Sequence, residues 1–179
     1  MTTFEFSLIA SGLDPEAEKF ADRFFEAGCD DATISVQKGH IILDFAREAK
    51  SIEDAICSAV EGAQKAGARV DRVEPDPLVS LADIAARADL TRAAVTQYAK
   101  GQRGENFPAP VARVTSDTSL YDWTEVATWL FQHKRLSREE VIAAAAVKAA
   151  NEAISAHERK LRSRMRKRMA RFEKQLAAA

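Results

Sequence analysis

The chain has 179 residues, 46% of them hydrophobic and 30% charged, a balance that excludes a disordered chain and predicts one or two small domains. No stretch approaches the roughly 20 apolar residues that a membrane-spanning helix needs, and the first ten residues lack the basic and apolar segments of a secretory signal. The formal net charge of −1 conceals a polarity: residues 1–78 hold 16 acids against 8 bases, residues 79–136 hold 6 against 7, and residues 137–179 hold 5 against 11. An acidic head and a basic tail suit different partners.

Phe4, Phe6 and Leu8 alternate with Glu5 and Ser7, the period-2 pattern of a strand buried on one face. Gly12, Leu13, Asp14 and Pro15 predict a helix start, with proline in the first turn, where a missing N–H costs nothing. Ala17, Phe20, Ala21, Phe24 and Phe25 would line its buried face, and Gly28 would stop it. Two strands follow, 33–37 and 40–45, joined at Lys38 and Gly39. Ser51 caps a second helix, with Asp54 in the capping-box position. Ile52, Ile56, Ala59, Val60 and Ala63 give that helix an apolar face, and Gly67 ends it. Residues 69–73 read as a last short strand. The order βαββαβ predicts a ferredoxin-like domain over residues 1–76, with four antiparallel strands and two helices on one face. Glu74, Pro75, Asp76 and Pro77 form a stiff linker, because two prolines in four residues continue neither strand nor helix.

A second unit is expected over residues 78–132. Ser80 and Asp83 make a capping box that opens a short helix with Ile84, Ala85 and Ala88 at helical spacing. Asp89 and Leu90 make a turn, Thr91 caps a second helix running to Lys100, and Gly101 stops it. Val95 and Tyr98 face back toward Ile84 and Leu90, the spacing of a helix-turn-helix. Asp89 stands where most such motifs carry Gly; Asp enters the left-handed region more readily than most residues. A Phe-Pro-x-Pro-Val stretch follows at 107–111, then a predicted two-stranded wing, then a helix with Trp123, Val126, Trp129 and Leu130.

These residues, 78–130, resemble the winged helix-turn-helix of the AlpA and excisionase group, which is related to the MerR DNA-binding domain. The resemblance implies a sequence-specific DNA binder that lays residues 91–100 in the major groove and the wing beside the backbone. The wing holds one cation, Arg113. With Val95 and Tyr98 turned inward, Arg92, Ala93, Thr96, Gln97 and Lys100 point outward. Arg pairs bidentately with guanine and Gln with adenine. Thr91 and Thr96 suit phosphates or a thymine methyl, and Lys100, Arg103 and Arg113 suit phosphates, which position without carrying sequence information.

Residues 137–179 read as one long basic helix, opened by a capping box at Ser137 and Glu140 and free of Gly and Pro. Residues 137–176 would span about 60 Å at 1.5 Å per residue. After Glu158 come eight Lys or Arg up to Arg171, among them Arg162 and Arg166. Three roles stay open for this tail: phosphate contact, pairing with another helix through Val147, Ile154, Leu161, Met165 and Phe172, or docking on the acidic head.

The expected whole is α+β: a ferredoxin-like head at 1–76, a winged helix-turn-helix at 78–132 and a basic helix at 137–179. The function expected is that of a DNA-binding transcriptional regulator, a repressor or autoregulator, binding double-stranded DNA as a cytoplasmic homodimer. An antitoxin with a toxin partner, a regulator sensing a small effector through its head, and an interaction or architectural protein whose helix-turn-helix does not read sequence are the alternatives. No enzyme, cofactor, membrane partner or metal is expected. Asp30 and Asp31 are sequence neighbours that point apart, and His40, His133 and His157 have no Cys, Asp or His at ligand spacing. Cys29 and Cys57 are two isolated thiols, read as small core residues of a reducing compartment.

Overall fold

The computed structural model describes residues 1–156 and 161–178, and the side chains of all of these except Leu161 and Arg162. The protein is mixed α+β. Its elements are β1 (Thr2–Ser11), α1 (Phe20–Glu26), β2 (Ala32–Gln37), β3 (His40–Ala49), α2 (Ile52–Lys65), β4 (Arg69–Glu74), β5 (Leu78–Val79), α3 (Leu81–Arg87), α4 (Arg92–Ala99), β6 (Tyr121–Asp122), α5 (Trp123–Gln132), α6 (Arg138–Ser155) and α7 (Leu161–Ala177). They divide into two units, one of Met1–Pro75 with Ala146–Arg171, the other of Asp76–Ala145 with Phe172–Ala179.

The first unit holds a four-stranded sheet in the order β2-β3-β1-β4, with every neighbouring pair antiparallel. Its register follows the apolar alternation. Leu8 lies opposite Leu43 on one side and Val73 on the other, Ala10 opposite Ile41 and Val70, and Phe6 opposite Phe45 with the rings stacked at 5.3 Å. A slip of one residue would turn this whole buried set to solvent. Lys38 and Gly39 both have positive φ, 50° and 80°, the conformation of a two-residue turn that matches strand twist. Ser51 accepts the Asp54 N–H at 3.2 Å and caps α2, which buries Ile56, Ala59, Val60 and Ala63. Gly62 on α2 is required by close approach: a Cβ there would meet the Cys29 sulfur at 2.8 Å. Each fully buried Leu or Ile in this layer contributes roughly 1.5–3 kcal/mol.

The first helix begins later than Asp14 and Pro15 predict. Asp14 instead caps the Glu16 N–H at 3.0 Å, and Ala17 and Phe20 close successive turns before α1 starts at Phe20. Lys19, at φ 61°, interrupts any earlier helical run. The expected buried face therefore contracts. Phe24 is fully buried and meets Phe20 edge-on at 5.5 Å, whereas Ala21 is exposed and Phe25 is 66% exposed.

The single C-terminal helix expected over 137–176 is two helices, α6 and α7, and residues 157–160 lie outside the described part. Arg168 donates to the Ala149 carbonyl at 3.1 Å and lies 3.5 Å from the Glu152 carboxylate. Residues 19 apart on one straight helix would be about 28 Å apart, so the chain has turned back. Burial drives the return. Met165 and Met169 are fully buried, with the Met165 sulfur 3.5 Å from the Cys57 thiol on α2. A solvated helix would leave this apolar stripe wet. Met165 and Met169 thus dock within the first unit, and α6 and α7 divide between both units instead of forming a third.

In the second unit, β5 pairs with β6, Leu78 opposite Asp122 and Val79 opposite Tyr121. Its core gathers Val79, Ile84, Val95, Val126, Trp129 and Leu130 with Val141 from the start of α6 and Leu176 from the end of α7. The expected two-stranded wing is reduced to a single bridge, Ala112 to Leu120. Ser116 and Ser119 hydroxyls bond to the Arg113 carbonyl at 3.1 and 3.2 Å. Such local side-chain bonds compete with a strand ladder, which explains the short pairing.

Candidate nucleic-acid interface

The site builds up from two helix caps and one turn. Ser80 and Asp83 exchange bonds in a full capping box that starts α3. The Ser80 bonds hold the Asp83 carboxyl below the usual carboxylate range. α3 ends at Arg87, and Asp89 follows in the left-handed region at φ 50°. That turn redirects the chain, and the Thr91 hydroxyl accepts the Ala94 N–H at 3.2 Å to start α4. Val95 and Tyr98 bury one face of α4 in the core.

Its opposite face carries Arg92, Ala93, Gln97 and Lys100, all exposed. Two expected contacts are modified. The Thr91 side-chain oxygen is engaged as the helix cap. Thr96 is half-buried, and its hydroxyl donates to the Arg92 carbonyl at 2.8 Å. Arg103 follows α4, with its guanidinium carbon 5.5 Å from the Tyr98 ring centroid. The Gln97 carbonyl accepts the N–H groups of both Gln102 and Arg103, so the end of α4 holds the start of this loop.

An aromatic cluster fixes the rest of the loop. Phe107 meets Trp129 edge-on at 5.1 Å, and Tyr98 lies 5.0 Å from Trp129. The Trp129 indole N–H donates to the Glu105 carbonyl at 2.8 Å. Gly104, at φ 72°, presses against this indole, where a Cβ would come within 2.8 Å. The Phe-Pro-x-Pro stretch was the sequence signal for this anchor; the Glu105 carbonyl and Gly104 carried none. Burial raises the Tyr121 phenol above its ordinary value.

Arg113 is exposed next to the Ala112–Leu120 bridge, at φ 49°. Arg166 belongs to the first unit, where it is exposed and lines a small depression with Glu53, Asp54 and Cys57. The side chain of Arg162 lies outside the described residues. Among the described residues, no group of three or more His, Cys, Asp or Glu side chains could hold a metal ion, and no helix is long and apolar enough to cross a membrane. No family model, curated protein or solved structure matches the chain.

Proposed function

We propose that the protein is a sequence-specific DNA-binding regulator of transcription and that α4 is the helix that enters the major groove. One observation carries this reading. Arg92, Ala93, Gln97 and Lys100 stand exposed together on a helix whose other face, Val95 and Tyr98, is locked in a core. Arg92 would pair with guanine, Gln97 with adenine, and Ala93 would contact a thymine methyl. Lys100, Arg103 and Arg113 would hold phosphates. The left-handed turn at Asp89 and the loop anchored on Trp129 support reading the second unit as a winged helix-turn-helix.

The first unit is read as a ferredoxin-like head, on the support of its βαββαβ order and its strand order β2-β3-β1-β4. Two buried thiols that form no disulfide, Cys29 and Cys57, support a reducing, cytoplasmic setting. Regulation would work by occupying DNA, with no chemical step.

Fluorescence anisotropy tests this with the duplex upstream of the protein's own gene and a scrambled duplex, each at two salt concentrations. Binding to the upstream duplex about 1,000-fold tighter than to the scramble is the expected result. Equal, salt-sensitive binding to both would replace sequence reading by phosphate contact alone. No binding to either would overturn the proposal in favour of a protein-interaction role.

A further inference from the structure

The two edges of the head sheet are treated differently. At the β4 edge, the Asn151 side chain from α6 accepts the Val73 N–H and donates to the Val73 carbonyl, both at 2.8 Å. β4 itself carries four charged residues, Arg69, Asp71, Arg72 and Glu74. Plugging and charging an edge are the usual guards against strand addition.

β2, the other edge, has neither guard. Its six residues, Ala32, Thr33, Ile34, Ser35, Val36 and Gln37, include no charge and no proline. Val36 is 47% exposed. Gln37 pairs with His40 across the two-residue turn, so the ladder bonds to β3 fall on Gln37, Ser35 and Thr33. Ile34 and Val36 therefore turn their N–H and C=O groups outward, and among the described residues none hydrogen-bonds them.

We propose that β2 is a homodimer surface, on which a second copy of this chain adds its own β2 antiparallel about a two-fold axis at Ile34. The charges at the strand ends select this occupant and this register. Asp30 and Lys38 each lie four residues from Ile34, both are exposed, and they have opposite signs. A two-fold axis at Ile34 brings the turn that holds Asp30 in each copy beside the turn that holds Lys38 in the other, where the opposite charges attract. The Ile34 groups of the two copies then bond to each other, and Val36 donates to Ala32 across the axis. A parallel addition would set like charges together. This surface does not depend on α4 reading DNA.

Sedimentation velocity of the full-length chain tests it. Wild type should sediment as twice its 19.7 kDa mass. Lys38→Glu and Asp30→Lys should each weaken the dimer on the order of tenfold, because each sets like charges beside one another. The double variant Asp30→Lys, Lys38→Glu should restore it, and Val36→Lys should leave monomer. Circular dichroism confirms that each variant is folded. A wild-type monomer at every concentration overturns the proposal. So does a dimer that Lys38→Glu and Val36→Lys leave unchanged, which would place the interface elsewhere, and so does a charge-swapped double variant that stays monomeric.

Discussion

Arg47 grips Asp31 with two arms, its Nε 2.8 Å from Oδ2 and its Nη2 2.6 Å from Oδ1. The same guanidinium donates to the Gly28 carbonyl at 2.6 Å and to the Ser58 hydroxyl at 3.1 Å, and lies 4.6 Å from the Phe45 ring centroid. One buried cation thus ties together β3, the turn after α1, and α2. Arg47→Ala should cost about 3 kcal/mol, since it strands a partly buried carboxylate and opens a cavity. The Arg47 hydrogen bonds hold the Asp31 carboxyl below its ordinary value. A depressed carboxylate contributes stability above its unfolded pKa and loses it as pH falls through the folded one. The loss should therefore appear below about pH 4. Urea denaturation from pH 7 to pH 2 measures it. An acid limb equally steep in Asp31→Asn would show that this pair does not set the acid sensitivity.

Asn151 serves as a peptide-like cap on Val73. Asn151→Leu keeps bulk but leaves one backbone donor and one acceptor without their partner, at a cost of roughly 1–3 kcal/mol. It also opens the β4 edge. Faster hydrogen exchange at the Val73 amide and a rise in self-association are expected together. Wild-type exchange at Val73 in this variant would mean that another group guards the edge.

Asp89 tests the turn between α3 and α4. Its φ of 50° places it where L-residues are strained. Asp89→Gly should stabilise the protein by up to about 1 kcal/mol, and Asp89→Val should destabilise it by about 1–2 kcal/mol. Chemical denaturation reads both. Equal stability of the two variants would remove the left-handed turn as the constraint.

The parts of the fold legible in the sequence are those set by local chemistry. The alternation of Phe4, Phe6 and Leu8, the Lys38 and Gly39 turn, and the caps Ser51, Ser80 and Thr91 all act within a few residues. What was hidden depends on distant partners. Nothing near Lys19 announces its left-handed turn, so α1 was placed one to two turns early. The Met165 and Met169 stripe continues a helical period without Gly or Pro, so the return of α7 onto α2 left no local mark. Burial against Cys57 and the Arg168 bond to Ala149 hold the returning helix, and both are tertiary. Asn151 carries no local signal of its role; only the sheet edge explains its amide. The outward face of α4 followed directly from Val95 and Tyr98 being apolar. The inward hydroxyl of Thr96 did not, because a Thr can bond back to its own helix or face solvent.

Arg92, Thr96, Gln97 and Lys100 make distinguishable predictions. Arg92→Ala and Gln97→Ala should each cost about 1–3 kcal/mol in binding to the specific duplex and relax the preference at one base position. Lys100→Ala should weaken binding to specific and scrambled duplexes alike and reduce the salt slope by about one. Thr96→Val should matter least, because its hydroxyl already bonds to the Arg92 carbonyl and its methyl group survives the change. Anisotropy titrations of the four variants against both duplexes separate these outcomes. A uniform loss across all four would indicate a damaged helix. Specific binding that survives both Arg92→Ala and Gln97→Ala would remove these two side chains as the base readers.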